Sequence, residues 1–259
     1  KPVLEHALEC LRDQGFTDII LTISHLGNII MNYFGDGSVI SPATGKPFGV
    51  HIEYYFEERP LGNAGALFKI KNKLDSDFLL LNADSIFSVD FNRFVDFHKK
   101  HGGLVTLFTH PNSHPYDSGL IVADENNMVE KWLAKEDNRP KYYHNRVNAG
   151  LHVINPSVLE QCGIIGDNVG AMTDIGKNYK VDLDRQLLKP LAGTGKMFCY
   201  NSPEYVKDMG TPDRYYLICD DFKTGRILAK NLKNMQKAVF LDRDGTINKY
   251  VGFLRNIDN

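Results

Sequence analysis

Strong charge of one sign, paired cysteines, long apolar runs and low-complexity tracts are all missing from this 259-residue chain. Thirty Lys and Arg stand against 32 Asp and Glu, a formal net charge of -2, so no general attraction to nucleic acid or to an anionic membrane is expected. A small phosphorylated ligand would need only a local basic site. The four cysteines, Cys10, Cys162, Cys199 and Cys219, form no CxxC pair, which excludes a zinc ribbon and a disulfide framework and fits a reducing cytoplasm. The longest apolar runs are strand-sized, far below the roughly 18 residues needed to span a bilayer, and no charged-then-apolar leader precedes them. Neither a membrane nor a secretory reading has support. Among nine histidines, His110 and His114 would share a helical face only if Pro111 and Pro115 allowed a helix, so both read as loop residues.

What is present is ordinary for a globular enzyme-sized protein, with 42% hydrophobic and 24% charged residues and enough length for a sizeable core. Val3, Leu4, Ala7, Leu8 and Leu11 recur at helical spacing, and Gly15 follows where the helix should stop. Residues 18–24 read as a buried strand, 26–34 as a helix, 35–49 as a Gly/Pro-rich loop and 50–56 as a β-branched and aromatic strand. The pattern continues with a helix opened by Leu61-Gly62-Asn63-Ala64, an apolar strand at 78–81, a helix at 91–101 and a strand at 104–109. From Gly119 onward it loosens into short strands at 120–123, 128–132 and 147–154, with some antiparallel pairing expected, before helices at 182–191 and 212–225. Phe94, Phe97, Tyr215 and Tyr216 read as core or helix-face aromatics. These alternations predict an α/β, Rossmann-like doubly wound, mostly parallel sheet with helices on both faces.

Leu79-Leu80-Leu81-Asn82-Ala83-Asp84 and Lys207-Asp208-Met209-Gly210-Thr211-Pro212-Asp213 each deliver a carboxylate from the end of an ordered element into a loop. A parallel α/β sheet binds magnesium and phosphate at that carboxyl edge. Taken alone, Asp84 reads as a turn or cap residue, and Thr211-Pro212-Asp213 as a plain helix start. Neither reading explains Asp208, which precedes the turn. The two carboxylates can meet only if one domain brings both loop ends together.

With Glu130-Lys131 and Asn148-Ala149-Gly150 between them, this set resembles the sugar-1-phosphate nucleotidyltransferases. The resemblance covers about residues 1–225. It implies magnesium at Asp84 and Asp208, a phosphate contact from Lys131, a sugar-hydroxyl acceptor in Glu130, and sugar contacts from Asn82, Gly119, Asn148 and Gly150. It also implies a nucleotide-base loop shaped by Pro60 and Gly62 within Glu57-Glu58-Arg59-Pro60-Leu61-Gly62-Asn63-Ala64. Trp132 stands where the family usually has proline, and Asn63 where threonine is common. The implied substrates are a nucleoside triphosphate and a sugar 1-phosphate, the cofactor Mg2+, the partners neither nucleic acid nor membrane, with homo-oligomerisation open. The family's Gly-rich phosphate loop and its lysine belong upstream of Lys1-Pro2-Val3-Leu4, so weak or no transferase activity is expected of the sequence as it stands.

Val239-Phe240-Leu241-Asp242-Arg243-Asp244-Gly245-Thr246 resembles the first motif of the haloacid dehalogenase-type phosphatases, in the histidinol-phosphate and heptose-bisphosphate branch. That implies a buried strand at 238–241, Asp242 as nucleophile, Asp244 as acid and base, and magnesium between them. The expected layout is a transferase domain at 1–226, a linker at 227–236 and the truncated start of a second α/β domain at 237–259. A sugar phosphatase fused to a nucleotidyltransferase fits synthesis of a GDP-heptose or GDP-mannose-type product, by pathway analogy. The rival expectations are a non-catalytic sugar-nucleotide-binding protein and a phosphatase whose first half only presents substrate.

Overall fold

The computed structural model describes residues 1–113, 115–160, 180–250 and 252. His114, Cys162 and the end of the expected second domain lie outside them. Helix α1 (Val3–Arg12) starts at the extended Pro2 and carries Glu5 in its first turn and Arg12 in its last, both favourable to the helix dipole. Strand β1 (Asp18–Ile23) pairs in parallel with β2 (His51–Phe56), and α2 (Gly27–Phe34) links them. The loop between α2 and β2 is fastened beneath α1 by the fully buried Glu5. Its carboxylate accepts the Tyr33 hydroxyl at 2.8 Å and the Ser41 hydroxyl at 2.7 Å.

After α3 (Gly65–Ile70) the chain forms β3 (Phe78–Leu81) and β4 (Ser85–Ser88), then α4 (Phe91–His101), capped by the Asp90 side chain and ended by Gly102 at φ +67°. There follow β5 (Val105–His110), β6 (Leu120–Ala123), β7 (Val129–Leu133), β8 (Val147–Ile154), a π-helical turn at Leu183–Leu188, β9 (Met197–Asn201), β10 (Tyr205–Asp208), α5 (Pro212–Lys223) and α6 (Arg226–Ala229). His110 is therefore the last residue of a strand rather than a loop residue.

The α/β class holds, but the sheet is mixed rather than mostly parallel. Its strand order is β7-β6-β8-β5-β9, with β3 also on β8. Among the described pairs only β1 with β2 and β5 with β9 are parallel, while β8 runs antiparallel to β3, β5 and β6. The eight-residue β8 returns through the middle of the sheet and imposes that direction on its neighbours. Alternate residues of β8 feed two cores, in keeping with the period of a strand. Leu151 and Val153 join α1 and α4 through Ala7, Leu11, Phe91 and Phe94, whereas Ile154 joins α3 and the π-helical turn through Leu67, Ile70, Leu187 and Leu188. The expected cover of helices on both faces is thus present.

Two expectations at the end of the chain need correction. No strand forms at 238–241 among the described residues; Val239 is 81% exposed and Phe240 95%. An isolated apolar segment gains nothing from extending unless a neighbouring strand or helix takes up its groups, and none of the described residues does so. Nor is 227–236 wholly a linker. Ile227 is buried with Ile86, Tyr205 and Ile218, Asn231 donates to Ser88 Oγ at 3.1 Å, and the Leu232 N–H donates to Glu204 Oε1 at 2.9 Å.

Candidate active site

β4 runs antiparallel to β10 with Ser85 opposite Asp208, and the Met209 N–H donates to the Asp84 carbonyl at 3.1 Å. Asp84 thus enters β4 where Asp208 leaves β10, and the two carboxylate-bearing segments are hydrogen-bonded neighbours. Asp84 is exposed, with the Ser85 hydroxyl donating to it at 3.4 Å. Asp208 is anchored by the Gly210 N–H at 3.1 Å and Arg214 Nη1 at 2.5 Å. Partial burial pushes the Asp208 carboxyl up, but these two donors outweigh it and hold the group below the ordinary carboxylate range. Arg214 lies in the first turn of α5, whose Thr211 side chain caps its backbone N–H at 3.3 Å.

Both carboxylates are hard oxygen donors, the kind that binds magnesium in company with waters and substrate phosphates. Among the described residues no cluster of three or more His, Cys, Asp or Glu could hold a metal by itself. Asp84 and Asp208 would suit a magnesium ion only in company with oxygen donors from substrate or water.

Near the residues expected to meet the sugar, Leu81 pairs with Leu151 at the end of the β3–β8 ladder. Gly150 there adopts φ +75°, and a Cβ on it would stand 2.5 Å from Asn82 Nδ2, so the glycine is required both by backbone conformation and by the approach of Asn82. Asn148 Oδ1 accepts the Gly150 N–H at 3.2 Å, which fixes the orientation of its amide. His152 Nε2, 3.1 Å from the same oxygen, must then carry its hydrogen, leaving Nδ1 buried without a partner. Complete burial lowers the His152 pKa to about 4, so the ring is neutral. The Asn148 amide nitrogen is left facing Asp184 Oδ1 at 3.5 Å.

The loop expected to meet the nucleotide base, Leu61-Gly62-Asn63-Ala64, is laddered to the segment that starts the π-helical turn. The Val181 N–H donates to the Leu61 carbonyl at 2.8 Å, the Ala64 N–H to the Val181 carbonyl at 3.1 Å, and the Leu183 N–H to Asn63 Oδ1 at 2.7 Å. Gly62, at φ +82°, has no room for a Cβ, which would overlap the Val181 carbonyl oxygen. Glu57 Oε2 accepts the Leu61 N–H at 3.2 Å, while Pro60 remains exposed at the tip.

The remaining candidates are placed differently. Glu130 and Lys131 are exposed on β7 beside a register shift between Val122 and Ala123, and Asp208 is paired with Arg214. A Cβ on Gly119 would lie 2.8 Å from Trp132 Nε1, so this glycine makes room for the indole. Asp242 is exposed, and Asp244 is clasped by Arg243 at 2.8 and 2.9 Å within a turn closed by Asn248. That Arg243 contact lowers the Asp244 pKa. Sequence reasoning missed Arg214 and Asp184. Burial, with Asp182 adding a smaller repulsion, raises the Asp184 pKa to about 6.

A mixed α/β sheet covered by helices carries two neighbouring carboxylate segments and glycine-shaped loops at strand ends, where open α/β sheets place ligands. The chain belongs to the nucleotidyl transferase family, whose model matches residues 1–223. Mannose-1-phosphate guanyltransferases from Candida albicans and Saccharomyces cerevisiae are each 27% identical to it, over 82% and 89% of this chain and 53% and 57% of their own lengths. The chain therefore spans about half the length of the curated relatives it matches. Among solved structures, HddC from Yersinia pseudotuberculosis has the same fold, with a TM-score of 0.64 at 20% identity over 86% of both chains. Its complex with GMP-PN gives a TM-score of 0.62 at 21% identity, again over 86% of each chain.

Proposed function

We propose that this chain is part of a nucleotidyl transferase that acts on GTP and mannose 1-phosphate or a closely related sugar 1-phosphate, releasing pyrophosphate and forming a GDP-sugar. The observation that carries the reading is the β4–β10 pairing, which joins the Asp84 and Asp208 segments at one edge of the fold. The mannose-1-phosphate guanyltransferase relatives support the choice of base and sugar class.

An already ionised sugar phosphate attacks the α-phosphorus of the triphosphate and pyrophosphate leaves in line, so no general base is needed and positioning with charge neutralisation does the work. Asp84 and Asp208 would hold magnesium, which when bound offsets phosphate charge at the reacting centre. Arg214 keeps the Asp208 carboxylate ionised and aimed. Glu130 and Lys131 are assigned to the sugar hydroxyls and the phosphate, Asn82, Gly119, Asn148 and Gly150 to the sugar, and the Pro60–Gly62 loop to the base. The Asp242 and Asp244 segment has no such constellation among the described residues, and no phosphatase role is proposed for it.

The test is pyrophosphate release from GTP and mannose 1-phosphate in magnesium by the chain extended upstream of Lys1 to include the phosphate loop that the resemblance implies, for the wild type, Asp84→Asn and Asp208→Asn. Each variant should lose at least about a hundredfold in kcat while keeping its unfolding midpoint, a magnitude typical of removing one preorganised electrostatic group. Chelation of magnesium should silence the wild type. Unchanged kcat in both variants would overturn the proposal.

A further inference from the structure

We propose that Asp184 is a specificity-determining residue of the sugar site, a carboxylate that accepts hydroxyl hydrogens of the bound sugar beside Asn148. The inference rests on the nucleotidyl-transfer reading and deepens it. No motif marks Asp184, and its importance lies in its surroundings.

Asp184 is set between the two candidate substrate segments. The ladder from Leu61 and Ala64 to Val181, and from Asn63 to Leu183, fixes the chain immediately before it on the nucleotide side. The Asn148 amide nitrogen lies 3.5 Å from its Oδ1 on the sugar side. The amide points that way by necessity, because its oxygen already accepts the Gly150 N–H and His152 Nε2. Among the described residues Asp184 is thus a partly buried carboxylate with one long amide contact and Asp182 as its charged neighbour.

Such a group pays for its desolvation without the cation or backbone donors that normally accompany a buried carboxylate. Asp208 has an arginine and a backbone N–H, and the fully buried Glu204 takes two backbone N–H groups and a serine hydroxyl. Among the described residues Asp184 has nothing equivalent, and the contact it has comes from the Asn148 amide. The ligand chemistry that fits is neutral and rich in hydroxyls, since a phosphate would be repelled. A carboxylate and an amide side by side suit two neighbouring hydroxyls, one bonded to each.

The raised pKa of Asp184 accords with an ionised group kept short of partners until ligand arrives. His152 contributes as a positioning residue, because its buried neutral ring fixes the Asn148 amide without touching substrate.

The experiment is calorimetric binding of GDP-mannose and of GDP to the wild type and to Asp184→Asn at pH 8. The variant should bind GDP-mannose at least about tenfold more weakly while binding GDP as the wild type does, in line with leaving polar groups of a sugar site unpaired. In parallel, KM for mannose 1-phosphate should rise while KM for GTP stays put. Equal loss for both ligands, or no loss for either, would overturn the assignment. Binding of neither ligand by the wild type, measured on the chain extended upstream of Lys1 to include the implied phosphate loop, would overturn the nucleotidyl-transfer reading itself, so the two failures are distinguishable.

Discussion

At the scale of single residues, a side chain arranged for a ligand should cost the empty protein stability, and Asp184 offers a clean case. Its carboxyl holds a proton up to about pH 6 in the folded chain but only to the ordinary carboxylate range when unfolded. Between those values the folded state binds more protons than the unfolded one, so this group's contribution to stability falls as pH rises from about 4 to about 6. His152 acts in the opposite sense. Its pKa, lowered to about 4, makes stability rise over a window from there to its ordinary value. The two must be separated by difference. Asp184→Asn should therefore be more stable than the wild type at pH 8, by up to about 2 to 3 kcal/mol, with the gap closing near pH 4. Urea unfolding of both proteins at the two pH values measures it. A gap independent of pH would mean that the carboxylate is not desolvated in the folded state. Asp84 and Asp208 were legible in the sequence because each ends a recognisable apolar strand or precedes a proline-started helix. Asp184 was not legible, because its meaning comes from an asparagine on another strand.

At the scale of elements, β3, α4, β6 and β8 have the boundaries that periodicity alone suggests, since each carries a long apolar run or a cap at its own ends. The strands β4, β9 and β10 were missed. They are only four or five residues long and are defined by partners far away in sequence, β4 and β10 by each other and β9 by β5. The expected strand at 238–241 fails for the complementary reason, an apolar run with no partner among the described residues. Some antiparallel pairing was expected from 120 to 154, but nothing local in β8 announces that it also runs antiparallel to β3 and β5, which makes the sheet mixed rather than mostly parallel. The ladder between the Leu61–Ala64 loop and Val181 follows the same rule and gives a test. Gly62→Ala combines a positive φ with overlap on the Val181 carbonyl, so it should cost at least about 1 to 2 kcal/mol. Because Val181 carries the chain into Asp184, the same variant should weaken GDP-mannose binding. Thermal unfolding and calorimetry check the two effects together, and an unchanged midpoint would show that the loop is not tied to Val181.

At the scale of the whole molecule, the question is where the folded body stops contributing to itself. The segment after α5 remains part of it. Ile227 is 4% exposed within a cluster from β4, β10 and α5, and the buried carboxylate of Glu204 shares Oε1 between the Asp90 and Leu232 N–H groups, each at 2.9 Å. Ending the chain at Gly225 would remove that apolar contact and one donor from a buried charge. The expected loss is about 3 to 5 kcal/mol, the sum of a core truncation and an unsatisfied acceptor. Ending it at Gln236 should behave differently. Val239, Phe240 and Leu241 are 81%, 95% and 64% exposed, and the paired Arg243 and Asp244 contact each other rather than the body. Removing such residues takes away no packing that the described residues provide, so the unfolding midpoint should move by no more than about 1 °C. The same truncation addresses function. If Asp242 and Asp244 take no part in nucleotidyl transfer, the chain ending at Gln236 keeps its pyrophosphate release and its response to Asp184→Asn. A fall in turnover without a fall in stability would instead assign the exposed segment a role in the reaction, and the two truncations measured side by side tell these outcomes apart.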